Sequence, residues 1–115
     1  MELFNRPWGY YINIDGTDHS GYKVKKISVN PGKRLSLQSH KQRSEHWVII
    51  KGVAKVQVGK DFLTLHKNQH VYIPKETLHR IENIGETEME FIETQVGNYL
   101  GEDDITRYED DFGRV

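Results

Sequence analysis

The chain has 115 residues, 36% of them hydrophobic and 29% charged, with a formal net charge of −1 and no cysteine. That apolar share fills one modest core, so the length reads as a single domain over 1–115. The charge balance excludes nucleic-acid binding driven by overall basicity, and the lack of cysteine excludes a disulfide or a thiolate metal site.

In chain order, Tyr22 to Asn30 mixes Val24, Ile27 and Val29 with lysines in an extended pattern, and Pro31-Gly32 reads as a turn. Leu35 to His40 alternates with period two, and a polar loop, Lys41 to Ser44, follows. Trp47 to Ile50 is a β-branched run that ends at Lys51-Gly52. Val53 to Val58 alternates again and stops at a hairpin-type turn, Gly59-Lys60-Asp61. Phe62 to Leu65, Val71 to Ile73 (stopped by Pro74), His79 to Asn83 and Met89 to Glu93 complete the strands. The acidic end, Asn98 to Val115, is expected to form a short helix or an ordered tail. Many short strands with no 3.6-residue apolar stripe predict an all-β sandwich or barrel. The run Met1 to Pro7 has no apolar core of signal-peptide length, and no stretch reaches membrane-spanning length. A soluble, cytoplasmic chain with neither a nucleic-acid nor a membrane partner is expected.

Period-two geometry puts Gln38 and His40 on one face of a strand. Glu45 opens the next strand and can return beside His40, while His79 opens a later one. A barrel interior can bring these four together as a divalent-metal site. An amide oxygen, two imidazoles and a carboxylate suit zinc, placed first here, or manganese, cobalt, nickel or iron. Any one of them alone is more often structural, as His19, His46, His66 and His70 illustrate.

The joint spacing resembles the cupin superfamily, which implies a single-domain jelly-roll β-barrel. Gly32 is followed by five residues, Gln38-x-His40, four residues, Glu45, six residues and Gly52, as in the first cupin motif. Pro74-x-Glu76, two residues, His79, three residues and Asn83 match the second. Asn68 and Glu76 stand where that motif has turn glycines, and Gln38 stands where the first has histidine. Gln38 through Trp47 resembles the type II mannose-6-phosphate isomerases more narrowly. So do Arg6-Pro7-Trp8-Gly9, Pro31 to Gln38, Tyr72-Ile73-Pro74, Ile92 to Gly97, Tyr99 to Ile105, Arg107 and Gly113-Arg114. In many relatives such a cupin is the C-terminal half of a protein that also carries a mannose-1-phosphate guanylyltransferase domain. The chain is then a stand-alone isomerase or one domain of a larger protein.

The resemblance implies interconversion of mannose 6-phosphate and fructose 6-phosphate through an enediolate, a step of mannose and GDP-mannose metabolism. Arg43, between two ligands, is expected at the mouth of the metal site, to stabilise the enediolate; a solvated loop arginine is the plainer reading. Glu93 shares a strand face with Met89, Phe91 and Gln95, which should raise its pKa and suit it as the base. A buried Glu93 paired with an arginine is the alternative, and His46 is a weaker candidate. For the phosphate, Lys33, Arg80, Arg107 and Arg114 are available; the last two are favoured, although the acids around them offer competing partners. A homodimer is implied by the resemblance. The competing classes are a non-catalytic cupin that binds a phosphosugar or nucleotide sugar, and a metal-dependent oxygenase.

Overall fold

A computed structural model describes residues 2–115. Its strands are β1 (Leu3–Arg6), β2 (Gly9–Gly16), β3 (Tyr22–Val29), β4 (Leu37–Ser39), β5 (Arg43–Lys51), β6 (Ala54–Val58), β7 (Asp61–Leu65), β8 (His70–Ile73), β9 (His79–Asn83), β10 (Met89–Gly97) and β11 (Thr106–Glu109). They form a six-stranded sheet, β1-β2-β3-β10-β5-β8, and a five-stranded sheet, β11-β4-β9-β6-β7. Every pairing is antiparallel. The described residues contain no helix long and apolar enough to cross a membrane.

Alternation explains the core. In β10, Met89, Phe91, Glu93 and Gln95 point inward, as do Arg43, Glu45, Trp47 and Ile49 in β5. Ala54, Val56 and Ile81 close the core from the other sheet. Each large side chain so buried contributes roughly 1.5–3 kcal/mol. The same alternation carries polar groups inward at one end of these strands, and the functional site lies there.

The structure differs from the sequence expectations in four places. β1 and β2 were not expected, because Asn13 and Asp15 interrupt any apolar alternation; pairing of β2 with both β1 and β3 decides their form. β5 begins at Arg43, inside the expected loop, because Gly97 of β10 pairs with Arg43. A Cβ on Gly97 would lie 2.1 Å from the Gln42 carbonyl oxygen, so only glycine admits this approach. The expected strand from Leu35 to His40 shortens to β4, while Arg34 makes an isolated bridge to Glu82. The acidic end holds a strand, β11, in place of a helix, since Thr106 and Arg107 pair with Ser39 and Gln38. Asn68 (φ 74°) and Glu76 (φ 61°) are left-handed, as expected of the two positions where the cupin motif has glycine.

Candidate metal centre and cleft

His40 follows β4, Glu45 lies in β5 and His79 opens β9, and their ligand atoms all fall within 4.8 Å of one another. All three side chains are buried. His40 Nδ1 lies 2.8 Å from the Asp104 carbonyl oxygen, and His79 Nδ1 lies 3.0 Å from that of Thr77. A carbonyl only accepts, so each Nδ1 carries the proton and each Nε2 keeps a bare lone pair. Burial lowers both imidazole pKa values, His40 to about 4, and the neighbouring Arg43 charge adds to the effect. Both rings are therefore neutral near pH 7.

Glu45 is held at both oxygens. Its Oε1 accepts from Trp47 Nε1 at 2.8 Å, and its Oε2 accepts from Arg43 Nε at 2.8 Å. Oε2 also lies 3.2 Å from His40 Nε2. Two acceptors that close need a shared cation, and Arg43 supplies one by donating from Nη2 to His40 Nε2 at 3.2 Å. His79 Nε2 is buried without a partner among the described residues. Two neutral imidazole nitrogens, one orphaned, beside an oriented carboxylate fit a divalent first-row metal. Gln38 pairs directly with His79 across β4 and β9, so its side chain shares that face. Asp104 ties the centre to the C-terminal segment: its carboxylate accepts from the Lys41 and Gln42 amides at 3.2 and 2.9 Å while its carbonyl orients His40.

Beside this centre opens a cleft of about 140 Å³. Of the residues singled out in the sequence, Gln38, Arg43, Glu93, Arg107 and Arg114 line it. His40, Glu45 and His79 are not wall residues; Arg43 is, and it touches both His40 and Glu45. Glu93 lies in register between Lys25 and Trp47, only 6% exposed, and its Oε2 accepts from Gln95 Nε2 at 2.7 Å. Burial pushes its pKa up to about 7, the Glu45 charge reinforces the rise, and Lys25 and Arg43 oppose it.

Arg107 sits opposite Gln38, and Arg114 donates twice to Asp110, at 2.7 and 3.0 Å. Lys33 and Arg80 do not line the cleft. Lys33 is exposed before β4, whereas Arg80 donates to the Leu35 carbonyl and to Glu109. His46 is exposed and tilted against Tyr72, and His66 and His70 are exposed as well. The cleft also holds Arg6 and Lys25, which were given no role from the sequence, Trp8, expected either at an interface or in the core and found buried, and Glu102, expected as a partner of Arg107 or Arg114 and found paired with Lys25. Lys25 did carry a signal, since it lies in phase with inward-facing Ile27 and Val29. Arg6, Trp8 and Glu102 fell within segments singled out as wholes.

Two antiparallel sheets around one core, with two imidazoles and a carboxylate converging at one end, define a cupin. Solved structures agree on the fold. The cupin domain of Schizosaccharomyces pombe Cnp3 superposes with a TM-score of 0.76 at 14% identity, covering 84% of this chain and 69% of that one. The capsular polysaccharide assembling protein CapF of Staphylococcus aureus does so at 0.77 and 20%, covering 94% of this chain and 34% of that one. Within the cupins, the chain belongs to the mannose-6-phosphate isomerase C-terminal family, whose model matches residues 2–110. The xanthan biosynthesis protein XanB of Xanthomonas campestris is 50% identical over 110 residues, which are 96% of this chain and 23% of that protein. The alginate biosynthesis protein AlgA of Pseudomonas syringae is 49% identical over 114 residues, 99% of this chain and 23% of AlgA. A mannose-1-phosphate guanylyltransferase of Escherichia coli is 46% identical over 110 residues, 96% of this chain and 23% of that enzyme. The chain thus spans about a quarter of the length of these relatives.

Proposed function

We propose that the chain is a metal-dependent aldose–ketose isomerase that interconverts mannose 6-phosphate and fructose 6-phosphate. The observation that carries this reading is the placement of a desolvated carboxylate, Glu93, within electrostatic reach of His40, His79 and Glu45, beside one cleft. Membership of the isomerase C-terminal family supports it.

His40, Glu45 and His79 would hold the metal, zinc first, with the Gln38 amide as a further donor. A bound divalent ion would supply Lewis acidity to the sugar oxygens at C1 and C2. Glu93 takes the proton from C2 of the open-chain sugar and returns it at C1, while the hydroxyl proton passes from O2 to O1, so that the C1 aldehyde becomes an alcohol and C2 becomes the ketone carbon. Gln95 engages Oε2, which leaves Oε1 for the carbon-bound proton. Burial raises the Glu93 pKa to about 7 in the metal-free protein, and a dication at Glu45 would offset part of that rise and favour the carboxylate that acts as the base. Arg43 Nη1, buried without a partner, offers a donor to the enediolate oxygen as charge develops. Trp8, Ile27 and Leu35 form the apolar part of the wall and keep water from the intermediate.

A second reading is a non-catalytic cupin that binds a phosphosugar or nucleotide sugar as a lobe without turnover. One assay separates the two. The protein, loaded in turn with zinc, manganese, cobalt and nickel, is incubated with mannose 6-phosphate, and fructose 6-phosphate is measured. Turnover is expected, with a loss of roughly 10²- to 10⁴-fold in Glu93→Gln at unchanged substrate binding. Binding without turnover under every metal would overturn the isomerase reading and leave the lobe.

A further inference from the structure

Arg6 and Arg107 reach the same cleft from the two strands that end the sheets, β1 in the six-stranded sheet and β11 in the five-stranded one. Arg6 is exposed and Arg107 half-buried, and both side chains line that one cleft. Their electrostatic situation sets them apart from the other cleft cations. Lys25 pairs with Glu102, Arg43 with Glu45, and Arg114 with Asp110. Among the described residues no carboxylate lies within ion-pair distance of Arg6 or Arg107.

Each arginine also has donors to spare. Arg107 Nε is buried and has no partner. A buried N–H left in that state costs about 1–3 kcal/mol, so an acceptor that fills it gains accordingly. Arg6 is held in place without being neutralised. Its Nη1 donates to the Asn5 carbonyl at 2.8 Å, its Nη2 to Tyr11 Oη at 3.3 Å, and its guanidinium lies 5.1 Å from the centre of the Tyr11 ring. Lys25 Nζ stands over the same ring at 4.5 Å, with its charge met by Glu102. Two guanidinium groups that line one cleft and have no carboxylate partner among the described residues match a dianionic tetrahedral oxyanion, which accepts several charge-assisted bonds at once.

We propose that Arg6 and Arg107 form an anion clamp in the cleft that takes the phosphate group of the sugar substrate. The identity of the phosphate's bearer rests on the isomerase reading; the clamp itself rests on the pairing pattern. An open-chain hexose 6-phosphate carries its carbonyl and its phosphate at opposite ends, and the same cleft holds Arg43 and Glu93 for the reacting carbons. Arg114, favoured from the sequence, already gives two donors to Asp110 and braces the wall beside the clamp.

Inorganic phosphate is the probe, titrated into the chelator-treated full chain while arginine Nε–H signals are followed by NMR. The Arg6 and Arg107 signals are expected to shift with a common dissociation constant. Arg6→Gln and Arg107→Gln should each weaken phosphate binding roughly tenfold or more, whereas Lys60→Gln in the β6–β7 turn should not. In the isomerase assay the same two variants should raise KM for mannose 6-phosphate far more than they lower kcat. If Arg107→Gln fails to fold, the wild-type titration still decides. Shifts at neither arginine, or wild-type affinity in both folded variants, would overturn the clamp. Phosphate binding through both arginines with no fructose 6-phosphate formed would sink the isomerase reading and leave the clamp standing. Isomerisation with phosphate binding indifferent to both would sink the clamp alone.

Discussion

Glu45 shows how much of the centre depends on one neighbour. The Trp47 indole, two residues along β5 on the same face, donates to Oε1 and fixes the plane of the carboxylate. Trp47→Phe keeps an aromatic ring tilted against Phe91 but removes that donor. Metal affinity should fall roughly 10- to 100-fold, the range typical of lost support behind a ligand. The truncation itself should cost about 1–3 kcal/mol of stability. Competition with a chromophoric chelator, read beside a thermal melt, separates the two effects, and unchanged metal affinity would contradict the assigned support. At this scale the clustering of His40, Glu45 and His79 was legible, because a fixed spacing on short strands leaves few ways to pack them. Lys25 was legible only as an inward-facing position, in phase with Ile27 and Val29. Arg6 was not legible as a cleft residue, because its place depends on β1 ending the six-stranded sheet, and local spacing does not encode that.

At the scale of elements, β10 and the segment after it organise the site. Gly97 lets β10 press against the first residue of β5, which places Arg43 between His40 and Glu45. The chain then wraps back as a strap. Lys25 pairs with Glu102, the Asp104 carbonyl orients His40, Tyr108 Oη meets Ser39 Oγ at 3.2 Å, and Arg34 donates to Asp111 at 2.8 and 2.9 Å. The Arg114 and Arg34 hydrogen bonds hold the Asp110 and Asp111 carboxyls below their ordinary value of 3.8. A depressed acid pKa means that the unfolded segment takes up protons first as pH falls. The stability from these pairs is complete above 3.8 and is lost as pH drops through the lower folded values. Acid should therefore loosen the strap before the barrel. Hydrogen-exchange protection at Arg107 and Glu109 should fall below about pH 4 while that of Phe91 persists; parallel loss at all three would contradict an independently pinned strap. Strands β6 to β9 were readable because β6 alternates and the short apolar runs that follow are bounded by turn residues such as Gly59-Lys60-Asp61 and Pro74. β11 was hidden because its form comes from pairing with β4, and its own acidic sequence favours no strand.

At the scale of the whole molecule, two sheets enclose one core, and the chain spans 23% of the length of its relatives. The polar end of that core brings the His40–Glu45–His79 cluster, Glu93 and the cleft cations together, and the account stands on their acting as one metal-dependent unit. The most direct test is to titrate a divalent metal into chelator-stripped protein and record the rate of fructose 6-phosphate formation from mannose 6-phosphate. The rate should be near zero without metal, rise linearly and saturate at about one equivalent per chain, as a single tight site requires. No rate at any metal concentration, or a rate indifferent to the metal, would contradict the account.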